Sequence, residues 1–485
     1  MLTRLLQKKT VSQIQDEANT HSLKRSLGKW NLVSLGIGCI IGAGIFVMTG
    51  TAAANHAGPA IIFSFVVAGL ACAFAGLCYA ELASVLPVSG SAYTYAYVTL
   101  GEVFAWVMGW LLVLEYGLAA STVAVGWSGY MVSFLATLGV SIPPEYAAAT
   151  GQLITLADGS TVEAVLNVPA VLGILVVTAL LTVGVKESAN VNNIIVAVKL
   201  SVIVAFILIG VFYVNPDNWV PFVPENQGPG VYGVDGILRA ASIIFFAYVG
   251  FEAVSTAAAE AKNPQKDMPF GIIGSLIICT ILYMAMAAVL TGVVHYTDLN
   301  VPDPLAVAVD LIGLGWFSFI IKIGAILGLS SVMLVLMYGQ TRVFYTMAKD
   351  GLLPQFLAKV HPKFHTPYVN TAVVGVVVAI AAGTMPIQQL GDLVSLGTLS
   401  AFAIVCLSVL KLHYTDRNLV RPFNTPWKPI VPVVGVAMCG YLIAQMPLST
   451  FIQLKWFFLL GAVIYLVYGY RHSKMGKTLG GAPKA

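Results

Sequence analysis

Three ionisable side chains stand inside long apolar stretches of this chain. They are Glu115 after WVMGWLLVL, Lys199 in IIVAVKLSVIV, and Glu252 in FFAYVGFEAVST. A charge at the centre of a membrane helix costs about 2.5–3.5 kcal/mol on insertion scales, so each needs a reason to be there. One reading of Glu115 and Lys199 is a structural ion pair. The other is a lysine that takes up and releases one proton in each conformational cycle. Glycines offer a second kind of chemistry. Gly36, Gly38, Gly42 and Gly44 crowd LGIGCIIGAGIFV, and Gly250 precedes Glu252. Each costs about 1 kcal/mol in a helix interior relative to alanine. The glycines serve either close helix packing, for which Gly38 and Gly42 have the spacing, or an unwound stretch whose backbone groups bind a ligand.

Other chemistries are poorly represented. The six cysteines (Cys39, Cys72, Cys78, Cys279, Cys406 and Cys439) all fall in apolar runs without CxxC or Cys/His ligand spacing. They read as small packing residues, not disulfides or metal ligands. No Ser-His-Asp arrangement is supported, because most of the seven histidines fall in polar segments or at the ends of apolar runs. No cofactor or metal is expected.

The elements that must position these groups follow from composition. Of 485 residues only 9% are charged and 58% are hydrophobic, with 46 glycines. A soluble chain carries about 25% charge, so a soluble enzyme, a disordered scaffold and a nucleic-acid binder are excluded. A net charge of +4 implies no anionic partner. What remains is an all-α integral membrane protein surrounded by membrane lipid. Apolar runs are expected to span near 30–54, 60–85, 102–137, 168–185, 190–214, 239–261, 269–294, 317–348, 368–384, 393–411, 430–446 and 451–470, roughly twelve transmembrane helices of about 20 residues each. No cleavable signal is expected in the polar segment 1–29.

Orientation follows from Lys and Arg. With the N-terminus inside, the cytoplasmic segments collect residues such as Lys262, Lys266, Lys349, Lys359, Arg421 and Lys428. The opposite loops, 138–167, 215–238 and 295–316, contain neither Lys nor Arg. Both termini are therefore expected in the cytoplasm. Arg239, Lys322 and Lys455 fall at the outer ends of spans, where snorkelling anchors are expected.

The first and sixth spans are corresponding members of two five-helix halves, and both are interrupted. By helix rise, Gly42 lies roughly 18 Å from the inner end of its span and Phe246 about 10 Å from the outer end of its own. In a hydrocarbon core of about 30 Å both are near the midplane. Paired breaks of this kind point to a transporter site built between inverted repeats.

Four segments carry a family resemblance: GIGCIIGAGIFV (36–47), CYAELASVLPVSGSAYTYAY (78–97), FFAYVGFEAVSTAAAEAKNPQKDMP (245–269) and YGQTRVFYTMAKDGLLP (338–354). Together they resemble the cationic amino acid transporter branch of the amino acid–polyamine–organocation superfamily, as a bacterial member. The resemblance implies a five-plus-five inverted-repeat fold with discontinuous helices 1 and 6 and two added C-terminal helices. The corresponding division is a cytoplasmic segment 1–29, repeats 30–214 and 215–412, spans 11–12 in 413–470 and a cytoplasmic tail 471–485.

The resemblance also implies a site. The carboxylate of an L-amino acid substrate would meet backbone N–H groups around Ile41, Gly42, Ala43 and Gly44, at the positive end of a half-helix. Its ammonium group would meet carbonyls near Ile40 and of Phe246, Ala247 and Val249, beside Gly250. Phe246 matches an aromatic that closes over substrate. Lys199 matches a fifth-helix lysine standing where sodium-coupled relatives hold a cation, which implies a proton as coupling ion. Glu115 matches an acidic third-helix residue associated with the site and is a second proton-coupling candidate.

Two departures bear on selectivity. Some bacterial relatives have Ser or Thr at Ala43, so that hydroxyl contact does not carry over. Leu336 aligns with a pocket-lining position and offers no hydrogen-bond partner to a cationic side chain. Small or medium neutral amino acids are therefore expected over arginine, with Glu115 as the counter-argument. The expected function is import by proton-coupled alternating access in the bacterial inner membrane. Obligate exchange without a proton is the alternative, and a transporter-like receptor is a third reading with little cytoplasmic mass to support it. No catalytic motif argues for an enzyme. An accessory single-span subunit is compatible with the chain.

Overall fold

The computed structural model describes residues 27–86, 91–155, 159–184, 189–257, 261–415 and 420–475. Most of the expected cytoplasmic segments 1–29 and 471–485 lies outside the described residues.

The chain begins with α1 (Lys29–Ile40), which stops at an extended Ile41. It resumes as a π-helical turn, Gly44–Met48, and stays helical to Ala57. Gly58, at φ 59°, turns the backbone where a side chain would be strained, and Pro59 follows at the start of the next turn. α2 (Ile61–Val85) runs on from there. α3 (Ser91–Thr99) and α4 (Glu102–Leu112) meet at Gly101. A second π-helical turn, Val113–Leu118, joins α4 to α5 (Ala119–Thr137).

A small antiparallel ladder, β1 (Leu153–Thr155) with β2 (Thr161–Glu163), decorates the next loop, with Ile154 opposite Val162. The start of α6 (Val168–Val183) is fixed by Asn167, whose Oδ1 accepts from the Ala170 N–H at 3.1 Å and from the Ser128 hydroxyl at 2.6 Å. That one side chain caps α6 and ties it to α5. There follow α7 (Ala189–Gly210), α8 (Gly233–Ile244), α9 (Pro264–Val293), α10 (Pro304–Ile312) and α11 (Gly315–Lys349). The last four are α12 (Tyr368–Thr384), α13 (Ile387–Thr415), α14 (Ile430–Ala444) and α15 (Leu448–Ile464).

Seven helical runs among the described residues are long and apolar enough to cross a membrane, and α6, α12 and α14 are shorter apolar helices. Their outward faces carry bare aliphatic residues, among them Leu208 and Ile281, each 62% exposed. In water such surface is penalised by about 25 cal/mol per Å². Hydrocarbon removes that penalty.

Packing sorts the helices into two groups. α1, α2, α8 and α9 pack together, while α5, α6, α11 and α12 form a second set in mutual contact. α7 touches α1, α9 and α11, and α13 touches α2, α5 and α8, so these two bridge the groups.

Two expected snorkelling anchors are corrected. Arg239 is buried, and its Nη2 reaches Asp392 Oδ1 at 2.6 Å and Oδ2 at 2.7 Å. Lys322 is buried too, and its Nζ lies 2.8 Å from Asp310 Oδ2. Each has an acidic partner on another helix, which compensates the charge where it is buried. Lys455 is exposed, as an anchor would be.

Candidate functional site

The two interrupted helices meet. α1 makes its last regular bond from the Ile41 N–H to Ile37 O at 2.9 Å, and Ile41 then turns extended. The π-helical turn that follows carries one residue too many per turn, an arrangement concentrated at functional sites. Its carbonyls are taken up by side chains: Thr49 donates to Gly44 O at 3.1 Å, and Tyr130 donates to Phe46 O at 2.6 Å.

Opposite it, α8 tightens into a 3₁₀ turn, Phe245–Tyr248, and Val249 is extended. Gly250 follows at φ 122°, a conformation that a side chain rarely adopts. A short helix, Ala253–Thr256, resumes beyond.

The breaks touch through backbone. A Cβ on Gly44 would lie 2.1 Å from Ala247 Cα, and one on Gly250 would lie 2.6 Å from Cys39 O. Both glycines are thus required by close approach. The Tyr283 hydroxyl, from α9, lies 2.9 Å from Ile40 O and 2.9 Å from Ala247 O. It clasps the end of the first half-helix to the unwound part of the second. The junction is nearly inaccessible, with Phe246 at 5% and Val249 at 6% exposure.

The charged groups flank this junction. Lys199 reaches from α7 to Gly38 O at 2.9 Å and Ile41 O at 3.3 Å, the carbonyls freed where α1 ends. Glu115 sits in the π-helical turn between α4 and α5, fully buried, and among the described residues no hydrogen-bond donor meets either of its oxygens. It is not the partner of Lys199. Its carboxyl lies against that of Glu252, with the Tyr116 hydroxyl also on Glu252. The Gly250 N–H donates to Glu252 Oε2 at 2.8 Å, which links the pair to the second break.

Of the expected site residues, Ile40, Ile41, Gly42, Ala43, Gly44, Phe246, Ala247, Val249 and Gly250 form the two facing breaks. Lys199 joins them directly and Glu115 joins through Glu252. Leu336 is buried on α11, one turn beyond Val332, whose Cγ1 would sit 3.1 Å from a Cβ on Gly42.

Sequence reasoning missed three contributors. Tyr283 was legible only as one polar hydroxyl in an apolar run. Glu252 was noticed, but not as the neighbour of Glu115. The Arg239–Asp392 pair went unseen because Asp392 fell just before an expected span. That pair borders a cavity of about 240 Å³ lined by Thr51, His56, Ile243 and Gln388.

With this geometry in view, residues 27–468 match the family described as amino acid permease, and the chain belongs to that family. It is a membrane transporter of the amino acid–polyamine–organocation superfamily and not an enzyme. The chain is 45% identical over 476 residues to the methylthioribose transporter of Bacillus subtilis (strain 168), covering 98% of this chain and 100% of that protein. It is 46% identical over 457 residues to the branched-chain amino acid permease BcaP of the same organism, covering 94% and 95%. A plant relative, cationic amino acid transporter 4, vacuolar, of Arabidopsis thaliana, is 39% identical over 420 residues, covering 86% and 68%.

Proposed function

We propose that this permease imports small or medium neutral L-amino acids with protons by alternating access, across the bacterial inner membrane, with both termini cytoplasmic. On this reading twelve helices cross the membrane as two inverted five-helix repeats plus two. The contact between the two broken helices at Gly44 and Ala247 carries the proposal. A half-helix that begins at Gly42–Gly44 presents N–H groups to a carboxylate. The carbonyls of Ile40 and Ala247, now held by Tyr283, suit an ammonium group.

Proton coupling has two supports. Lys199 bonds carbonyls of the first break, so its charge state and the shape of that break are linked. Two ionised carboxylates offer acceptors only, so the contact of Glu115 with Glu252 calls for a proton between them. Leu336 and Val332 favour an aliphatic substrate side chain, in keeping with the branched-chain relative.

The methylthioribose relative, at similar identity, favours a second reading. Methylthioribose carries an apolar thioether tail but neither carboxylate nor ammonium, so it would leave the N–H cradle unmatched.

Uptake into proteoliposomes tests both readings. An inward proton gradient should drive accumulation of L-leucine or L-isoleucine, and Lys199→Met should abolish it. Gradient-independent uptake with normal counterflow would eliminate symport in favour of exchange. Saturable methylthioribose uptake without leucine uptake would replace the amino acid reading.

A further inference from the structure

A cavity of about 540 Å³ opens on the side of the loops that lack Lys and Arg. Its walls come from α5 (Ser133), the loop around the β-ladder (Gln152), the segment before α10 (Asn300, Asp303) and the start of α13 (Gln388). Aliphatic surface from Val132, Ile142 and Ile387 completes it. Asp303 is the one charged residue among the described residues of that lining. Thr51 and Gln388 are also walls of the smaller cavity that holds the Arg239–Asp392 pair. By helix rise Thr51 is about 10 Å beyond Gly44. The large cavity therefore adjoins the smaller one beside the ion pair through Thr51 and Gln388.

We propose that this cavity is an outer docking site for an amphipathic ammonium-bearing molecule, in which Asp303 receives the ammonium group before the Arg239–Asp392 pair opens. The inference rests on the transporter reading for the identity of the natural occupant, an amino acid, but not for the binding chemistry.

The physical case is one of charge and shape. A single carboxylate among amides, hydroxyls and aliphatic walls makes a site of negative potential with apolar surroundings. The volume exceeds what one amino acid needs. A carboxylate-first ligand would find no cation among the described residues of the lining.

Nearby charges leave Asp303 available. Lys322, on α11, is the nearest influence of opposite sign, but its ammonium is bonded to Asp310 Oδ2 at 2.8 Å and lies 3.4 Å from Thr137 Oγ1. Asp310 on α10 and Tyr130 on α5 also face Asp303, and Ser133 hydrogen-bonds it. Desolvation outweighs the pull of Lys322 and raises the Asp303 carboxyl to about 6. The site is therefore charged near neutral pH and fades as the outer medium acidifies through that value.

The test is equilibrium binding of isoamylamine, which has the ammonium and a branched tail but no carboxylate, to the purified full chain. At pH 8 the wild type should bind it, and Asp303→Asn should weaken binding at least ten-fold while remaining monodisperse with an unchanged unfolding temperature. At pH 5 wild-type affinity should fall about ten-fold, since about nine-tenths of Asp303 is then protonated. The variant should show no such pH dependence. Should Asp303→Asn misfold, Gln152→Trp, which fills the cavity from a loop, should lower amine affinity equally. Unchanged amine affinity in these variants, or no amine binding by wild type, would overturn the proposal. L-Leucine uptake is measured in parallel: its absence with an intact, Asp303-dependent amine site would sink the transport reading alone.

Discussion

Replacing Asp392 by Asn should open the molecule towards the loop side that carries the ladder. Arg239 and Asp392 are joined by two charge-assisted bonds of 2.6 and 2.7 Å, and Arg239 Nη1 also donates to Ser242 at 3.1 Å. Their side chains are only 10% and 12% exposed. Removing one partner of such a pair leaves the other charge buried and costs about 3–5 kcal/mol. The low end applies here, because the 240 Å³ cavity beside the pair can admit water. Arg239 is on α8, which belongs to the interrupted helix, and Asp392 is on α13, so opening that side separates them. In the opened form both side chains meet water and the substitution costs little. The difference of about 3 kcal/mol shifts the closed-to-open ratio by about a hundred-fold. The assay is the rate at which a membrane-impermeant maleimide labels Ile243→Cys, in the smaller cavity beside the pair, from the outside. Of the native cysteines, five are buried and Cys39 only partly so, which keeps background low. Ile243 is 6% exposed in the present form, so labelling should be slow while the pair is intact. Asp392→Asn should accelerate labelling by one to two orders of magnitude. Exchanging the two residues, Arg239→Asp with Asp392→Arg, should restore slow labelling. Equal rates in all three proteins would refute the idea that this pair holds the closed form.

Two further outcomes follow from the site. Gly44→Ala puts a methyl group 2.1 Å from Ala247 Cα, where neither backbone can yield cheaply. Overpacking of this kind costs about 1–3 kcal/mol, and amino acid binding should fall at least ten-fold while circular dichroism shows unchanged helix; retained affinity would mean that the breaks are not the site. Leu336→Ser should reduce stabilisation by branched-chain amino acids and increase that by arginine in a thermal-shift panel of all L-amino acids. If arginine already stabilises wild type more than leucine does, the selectivity argument from Leu336 is wrong.

The helices and their interruptions were legible because they are written in local composition. Apolar runs of sufficient length name the helices whatever surrounds them. Gly44 and Gly250 mark the breaks because no other residue fits so close to another backbone. The positions of Lys199 and Glu115 inside long apolar runs were likewise plain from the sequence. The π-helical turns left no such mark, since Val113–Leu118 is ordinary helical sequence and only its neighbours decide the extra residue.

What the sequence determined alone, then, was the class of protein, the family and the places where backbone is exposed. Which side chains answer one another was decided only by the tertiary structure. Arg239 and Asp392 are 153 residues apart, and Tyr283 reaches across 243 residues to Ile40. The same arginine that composition assigns to the membrane surface is buried once a carboxylate is brought within 2.6 Å. The same Glu115 that could have paired with Lys199 instead meets Glu252. Composition sets what an isolated helix prefers. The fate of a buried charge depends on the nearest opposite charge or donor, and that distance exists only after the helices have packed.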